Sequence, residues 1–164
     1  MRKILMIFGA AAICLTLQAQ RPIAYHSHND YDRIAPFWEA YSQHCTSIEA
    51  DVFLQDGEIL VAHNREDVKA DRSLRTMYIE PIVRLFRENG GRMWKGSDDR
   101  LQLVVDLKTQ ESLEGVVALA GEYPDVFASE NGVRIVITGG YPPEDYGKWP
   151  KWGWFDGDFT DGKL

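Results

Sequence analysis

Cysteine is almost missing from this chain of 164 residues: there are two, Cys14 and Cys45. Cys14 lies in an N-terminal apolar run and leaves with that run if it is cleaved, so Cys45 would stand alone and no internal disulfide forms. Positive charge is also scarce. The 18 Lys and Arg face 25 Asp and Glu, a formal net charge of −7, which argues against a nucleic-acid partner because such a partner needs a basic face. It does not exclude a phosphate-bearing substrate, since a bound cation inverts the local field. The apolar run from Ile4 to Leu17 falls short of the roughly 20 residues of a membrane span. It follows the basic start Met1-Arg2-Lys3 and precedes the small residue Ala19, the layout of a secretory signal peptide. We therefore expect residues 1–19 to be a cleaved leader, residues 20–164 to form one domain, and the mature protein to be secreted or periplasmic without a stable membrane span. Internal repeats and low-complexity tracts are lacking too. Core material is present: 45% hydrophobic and 12% aromatic residues argue against disorder.

Strand-like and helix-like runs alternate along the chain. Strands are expected at Pro22 to Tyr25, Thr46 to Leu54, Glu58 to Ala62, Leu101 to Leu107, Val133 to Thr138 and Trp152 to Phe155. Helices are expected at Ala35 to His44, Leu74 to Glu88 and Ser112 to Tyr123, and residues 139–151 read largely as a loop. That alternation predicts βα units and a parallel sheet.

Two strands carry acid where a buried face is expected. In Ser47-Ile48-Glu49-Ala50-Asp51-Val52-Phe53, alternation puts Ile48, Ala50 and Val52 on one face and Glu49, Asp51 and Phe53 on the other. Both faces of a parallel sheet are usually covered. Two carboxylates there are costly unless neutralised, and a divalent cation with oxygen ligands would do so. The plainer alternative is an edge strand with one wet face. In Leu103-Val104-Val105-Asp106-Leu107-Lys108-Thr109, Asp106 and Lys108 share a face at the C-terminal end. Asp106 is a candidate third carboxylate ligand and Lys108 a candidate holder of a phosphate oxygen, against the alternative of a charge pair at a strand-to-helix boundary. Histidine is scarce: His26, His28, His44 and His63. Three follow strand-like runs, and a histidine pair supplies base and acid near neutral pH. His44 falls inside the first expected helix and reads as structural.

The series His26-Ser27-His28-Asn29-Asp30-Tyr31, Ser47-Ile48-Glu49-Ala50-Asp51-Val52 and Val61-Ala62-His63 resembles the phospholipase-C-like phosphodiesterase superfamily, which includes glycerophosphodiester phosphodiesterases and sphingomyelinases D. Within it the likeness is nearest to the group called altered inheritance of mitochondria protein 6. Val105-Asp106-Leu107-Lys108-Thr109 is similar to the sphingomyelinase D strand that bears a metal-binding Asp and a substrate Lys. The resemblance implies a TIM-like (β/α) barrel and one divalent cation, Mg2+ or Ca2+, on Glu49, Asp51 and Asp106. It further implies His63 and one of His26 or His28 as general acid and base on a phosphodiester, with Lys108 and Asn29 at the substrate. That substrate would be a small phosphodiester or a lipid headgroup. Two departures leave its identity open. The first loop is His-Ser-His-Asn where glycerophosphodiesterases have His-Arg-Gly, and the third acid is Asp where many of them have Glu. Five barrel strands are expected of the eight a barrel needs, so we expect a C-terminally truncated barrel with little activity alone.

Two rivals remain at this level. His-x-His after a first strand also begins the transition-metal site of amidohydrolases, although no histidine follows His63. A non-enzymatic reading is an inactive fragment or ligand-binding module using Trp149, Trp152 and Trp154 with Tyr141 and Tyr146 to stack on a ligand.

Overall fold

The computed structural model describes residues 24–139 and 149–155. The expected leader and most of the expected loop, residues 140–148, lie outside the described residues. The frame is a sheet of six strands: β1 (His26–Ser27), β2 (Ser47–Gln55), β3 (Glu58–Val61), β4 (Gln102–Leu107), β5 (Arg134–Thr138) and β6 (Gly153–Phe155). The order is β1-β2-β4-β5-β6, every neighbour pair parallel, with β3 folded back antiparallel on β2. Helices α1 (Trp38–Ser42), α2 (Glu80–Glu88), α3 (Ser112–Gly121) and α4 (Pro124–Phe127) fill the connections. This is the mixed α/β arrangement with a parallel sheet that the alternating pattern predicts.

Alternation decides the two faces. Ile48, Ala50, Val52, Leu103, Val105, Leu107, Ile135 and Ile137 are buried, and they join Ile82, Val83, Phe86, Leu113, Val116, Val126 and Phe127 of the helices in one core. Each of these side chains larger than alanine contributes roughly 1.5–3 kcal/mol on burial. The opposite face carries Glu49, Asp51, Asp106 and Thr138, together with half-buried Val104 and Val136 and exposed Trp154. Among the described residues no helix is long and apolar enough to cross a membrane.

The differences from expectation have local causes. β1 pairs one step later than expected: the Tyr25 carbonyl accepts from the Ser47 amide at 3.2 Å, and His26 sits within the strand rather than after it. The first helix is short because Phe37 takes a positive φ of 66° ahead of it and His44 a φ of 57° behind it. His44 therefore lies beyond the helix that was expected to contain it. The second helix opens with a π turn over Arg75–Ile79. Pro81 has no N–H and its ring crowds the carbonyl four residues back, which a widened turn relieves. The third stops at Gly121 because Pro124 forces Tyr123 out of helical geometry, to φ −126° and ψ 60°.

Candidate functional site

Parallel pairing brings the acidic strand ends together. In the β2–β4 register Asp51 stands opposite Asp106, and in the β4–β5 register Asp106 stands opposite Thr138. Lys108 follows β4 directly, its amide donating to the Val52 carbonyl at 3.0 Å. Its ammonium lies 2.7 Å from Asp51 Oδ2 and 2.7 Å from Asp106 Oδ2. Thr138 Oγ1 donates to the other Asp106 oxygen at 2.9 Å. Gly139 follows at φ +94°, and a Cβ there would meet the Leu107 carbonyl oxygen at 2.5 Å. β5 can therefore leave the sheet beside Asp106 only with glycine in that place.

Asp51 is 2% exposed and carries the most partners. Besides Lys108 it accepts from Tyr31 Oη at 2.9 Å and is bonded to His63 Nδ1 at 2.8 Å. Tyr31 Oη is also 3.3 Å from His63 Nδ1. The Asp51 contact fixes the His63 ring through Nδ1 and leaves Nε2 for other partners, the usual way a carboxylate orients a working imidazole. Burial and the Asp51 carboxylate push the Tyr31 hydroxyl well above its ordinary range, so it stays a donor. For Lys108 burial pulls downward, but the bonds to Asp106 and Asp51 and their charges outweigh it, and the ammonium is held above its ordinary value.

Glu49 sits two residues earlier on the same face and is gripped by the loop after β1. Its Oε2 accepts from the Asn29 amide at 3.2 Å and lies 3.3 Å from His28 Nε2 and 3.8 Å from His26 Nε2. Asn29 thus meets the site through its backbone, in a left-handed conformation at φ 47°. Both His26 ring nitrogens are engaged, because Nδ1 is 2.8 Å from Ser47 Oγ. His28 meets Glu49 through Nε2, lies beside the His26 ring with centroids 6.2 Å apart, and is 71% exposed. His44 is elsewhere: it stacks on Trp94 at 4.1 Å and bonds Asp99 at 2.9 Å.

Sequence reasoning assigned no role to Asp30 or Tyr31, although both lie in the first loop. Asp30 is fully buried and accepts from Ser27 Oγ, the Phe37 amide and Tyr78 Oη, which ties the histidine loop to the core. Thr138 was also missed. Its place at a strand's C-terminal end was the available signal.

The donor set fits a hard divalent cation in kind: Glu49, Asp51 and Asp106 are oxygen ligands on one sheet face. As placed, the Lys108 ammonium takes up the charge of Asp51 and Asp106. Among the described residues no three His, Cys, Asp or Glu side chains are grouped closely enough to hold a metal ion. An ion between the two aspartates thus requires Lys108 to turn aside.

Fold and site together define an α/β protein with carboxylates, histidines and a lysine collected at the C-terminal edge of a parallel sheet, where such folds place their chemistry. The chain belongs to the AIM6-like phosphodiesterase domain family, whose model matches residues 16–129. It is 30% identical over 146 residues to altered inheritance of mitochondria protein 6 of Eremothecium gossypii, covering 73% of this chain and 38% of that one. A homolog from Arthroderma benhamiae is 41% identical over 73 residues, covering 41% of this chain and 23% of its own length. The Lachancea thermotolerans protein of the same name is 28% identical over 147 residues, with 73% and 34% covered. The chain therefore spans less than two fifths of the length of these relatives. No solved structure matches it.

Proposed function

We propose that the strand-end cluster belongs to a metal-dependent phosphodiesterase that hydrolyses a glycerophosphodiester or phospholipid-type diester, and that the sheet is the first part of a TIM-like barrel. The observation that carries this is the joining of Lys108, Asp51, Asp106 and His63 at the ends of neighbouring parallel strands. The family's phosphodiesterase description supports the reaction class. Lys108 binds a non-bridging phosphate oxygen as a point charge once its aspartates are otherwise neutralised. His63, oriented by Asp51 and Tyr31, moves a proton at Nε2. His28 is the better placed of the first-loop pair to be its partner, since it is 71% exposed and its Nδ1 has no partner among the described residues, while His26 Nδ1 is held by Ser47 Oγ. Glu49, Asp51 and Asp106 would hold Mg2+ or Ca2+, which when bound supplies Lewis-acid stabilisation of charge on the phosphoryl oxygens.

In a complete, active form of the protein His63→Ala is expected to lower the hydrolysis rate by roughly 10²–10⁴, the range for acid–base groups. His44→Ala should leave it nearly unchanged. Full turnover by His63→Ala would overturn the mechanism. Export is part of the same proposal: the apolar leader of residues 1–19 places the mature N-terminus near Gln20 or Arg21, and N-terminal sequencing that finds an intact Met1 on a cytoplasmic protein would refute it.

A further inference from the structure

A cavity opens beside His63. It holds about 400 Å³ and lies between the loop after β1 and the segment that follows β3. That is the size of a small-ligand site. Val61 and Ala62 form a buried apolar part of its wall. Its charge runs against the rest of the molecule. Arg33, Lys69 and Arg72 line it against Asp32 and Asp67, in a chain where acids outnumber bases by 25 to 18.

The pairing of these cations is unusual. Elsewhere arginines find acids or aromatic faces: Arg75 pairs Glu122, Arg87 pairs Asp125, and Arg65 and Arg84 lie over Phe53 and Trp38. Among the described residues Arg33 is the one arginine whose side chain has no hydrogen bond, ion pair or aromatic partner. The Lys69 ammonium has no hydrogen-bond or ion-pair partner either. Arg72 is fixed by a bond from its guanidinium to the Tyr31 carbonyl, so its remaining N–H groups are presented from a held position. Asp67 is partly engaged by the Asn64 side-chain amide at 3.1 Å. Two unpaired cations and one pinned guanidinium around a cavity, contributed by two different loops, match the way compact oxyanions are bound.

We propose that this cavity is an anion subsite, taking a phosphate or carboxylate group that the substrate carries beside the scissile diester. The inference rests on the phosphodiesterase reading of the neighbouring cluster, because His63 lines the cavity and also bonds Asp51. It favours diesters that carry a second negative charge over those that do not.

The test is an amide NMR titration of the chain with inorganic phosphate and, separately, with succinate. The expected result is a saturable shift centred on Arg33, Ala62 and His63. In Arg33→Ala/Lys69→Ala binding should weaken about tenfold, the scale of two exposed charge contacts. Lys69→Glu, at an exposed side chain without a polar partner, supplies a second variant and should weaken it at least as much. The tighter anion identifies the recognised group as phosphate or carboxylate. Three outcomes overturn the proposal: no saturable shift with either anion, equal affinity in the variants, or shifts confined to residues 106–109, which would put the anion in the carboxylate cluster instead. Hydrolysis of a diester with an uncharged leaving alcohol reads the phosphodiesterase proposal separately, so failure of one does not imply failure of the other.

Discussion

Replacing Lys108 by methionine removes the cation between two carboxylates while keeping most of the apolar stem. Asp51, at 2% exposure, then keeps only Tyr31 and His63, and Asp106 keeps only Thr138. Breaking a fully buried pair costs about 3–5 kcal/mol. Lys108 is 24% and Asp106 20% exposed, so solvent screens part of the loss and about 2–4 kcal/mol is the scale we expect. At 2–4 °C per kcal/mol for a chain of this size, melting should fall by roughly 4–16 °C in chelator. The same deletion removes the competitor for a divalent ion. Mg2+ or Ca2+ should therefore bind Lys108→Met more tightly than the natural protein and raise its melting temperature more; the variant itself gains about 2.7 kcal/mol of stability at a hundredfold excess over its Kd. The pH dependence has a definite sign. Lys108 is held above its ordinary value, so its contribution is complete below about pH 10.4 and is lost as pH rises through its folded value. Lys108→Met should lack that alkaline component. Circular dichroism melts with chelator, with each metal, and across alkaline pH measure all three effects. Equal melting of both forms in chelator, or equal stabilisation by metal, would refute the reasoning.

Asp51→Asn should weaken Mg2+ or Ca2+ binding, since it removes one charge at constant volume, and equal calorimetric affinities in both forms would count against the site. Tyr78→Phe deletes one of three donors to buried Asp30 and should cost about 1–3 kcal/mol in a denaturant titration. Burial and Asp30 hold the Tyr78 hydroxyl above its ordinary range, so its contribution is present below about pH 10 and lost above it, and the variant should lose less stability there than the natural protein.

The acidic strands were legible because their alternation is strict. Ile48, Ala50 and Val52 had to face a core, which left Glu49 and Asp51 together, and the same reasoning isolated Asp106. The period alone could not say that β2 and β4 are neighbours, and that adjacency is what sets Lys108 between Asp51 and Asp106. Tyr31 and Asp30 escaped for a similar reason. Tyr31 meets Asp51 20 residues away, and Asp30, besides its local bonds to Ser27 and Phe37, meets Tyr78 48 residues away, so the spacing of neighbouring residues does not show their burial. The first helix was over-extended because apolar spacing at Phe37 and Tyr41 looks helical, while the positive φ at Phe37 is imposed from a distance by the bond of its amide to Asp30.

The most direct measurement is phosphorus NMR of a glycerophosphodiester incubated with a form of the protein that carries the complete barrel, with Mg2+ or Ca2+ and then with chelator. The account predicts that the diester resonance gives way to a phosphomonoester when metal is present and persists when it is chelated. Hydrolysis that continues unchanged in chelator, or a diester that persists under both conditions, would contradict it.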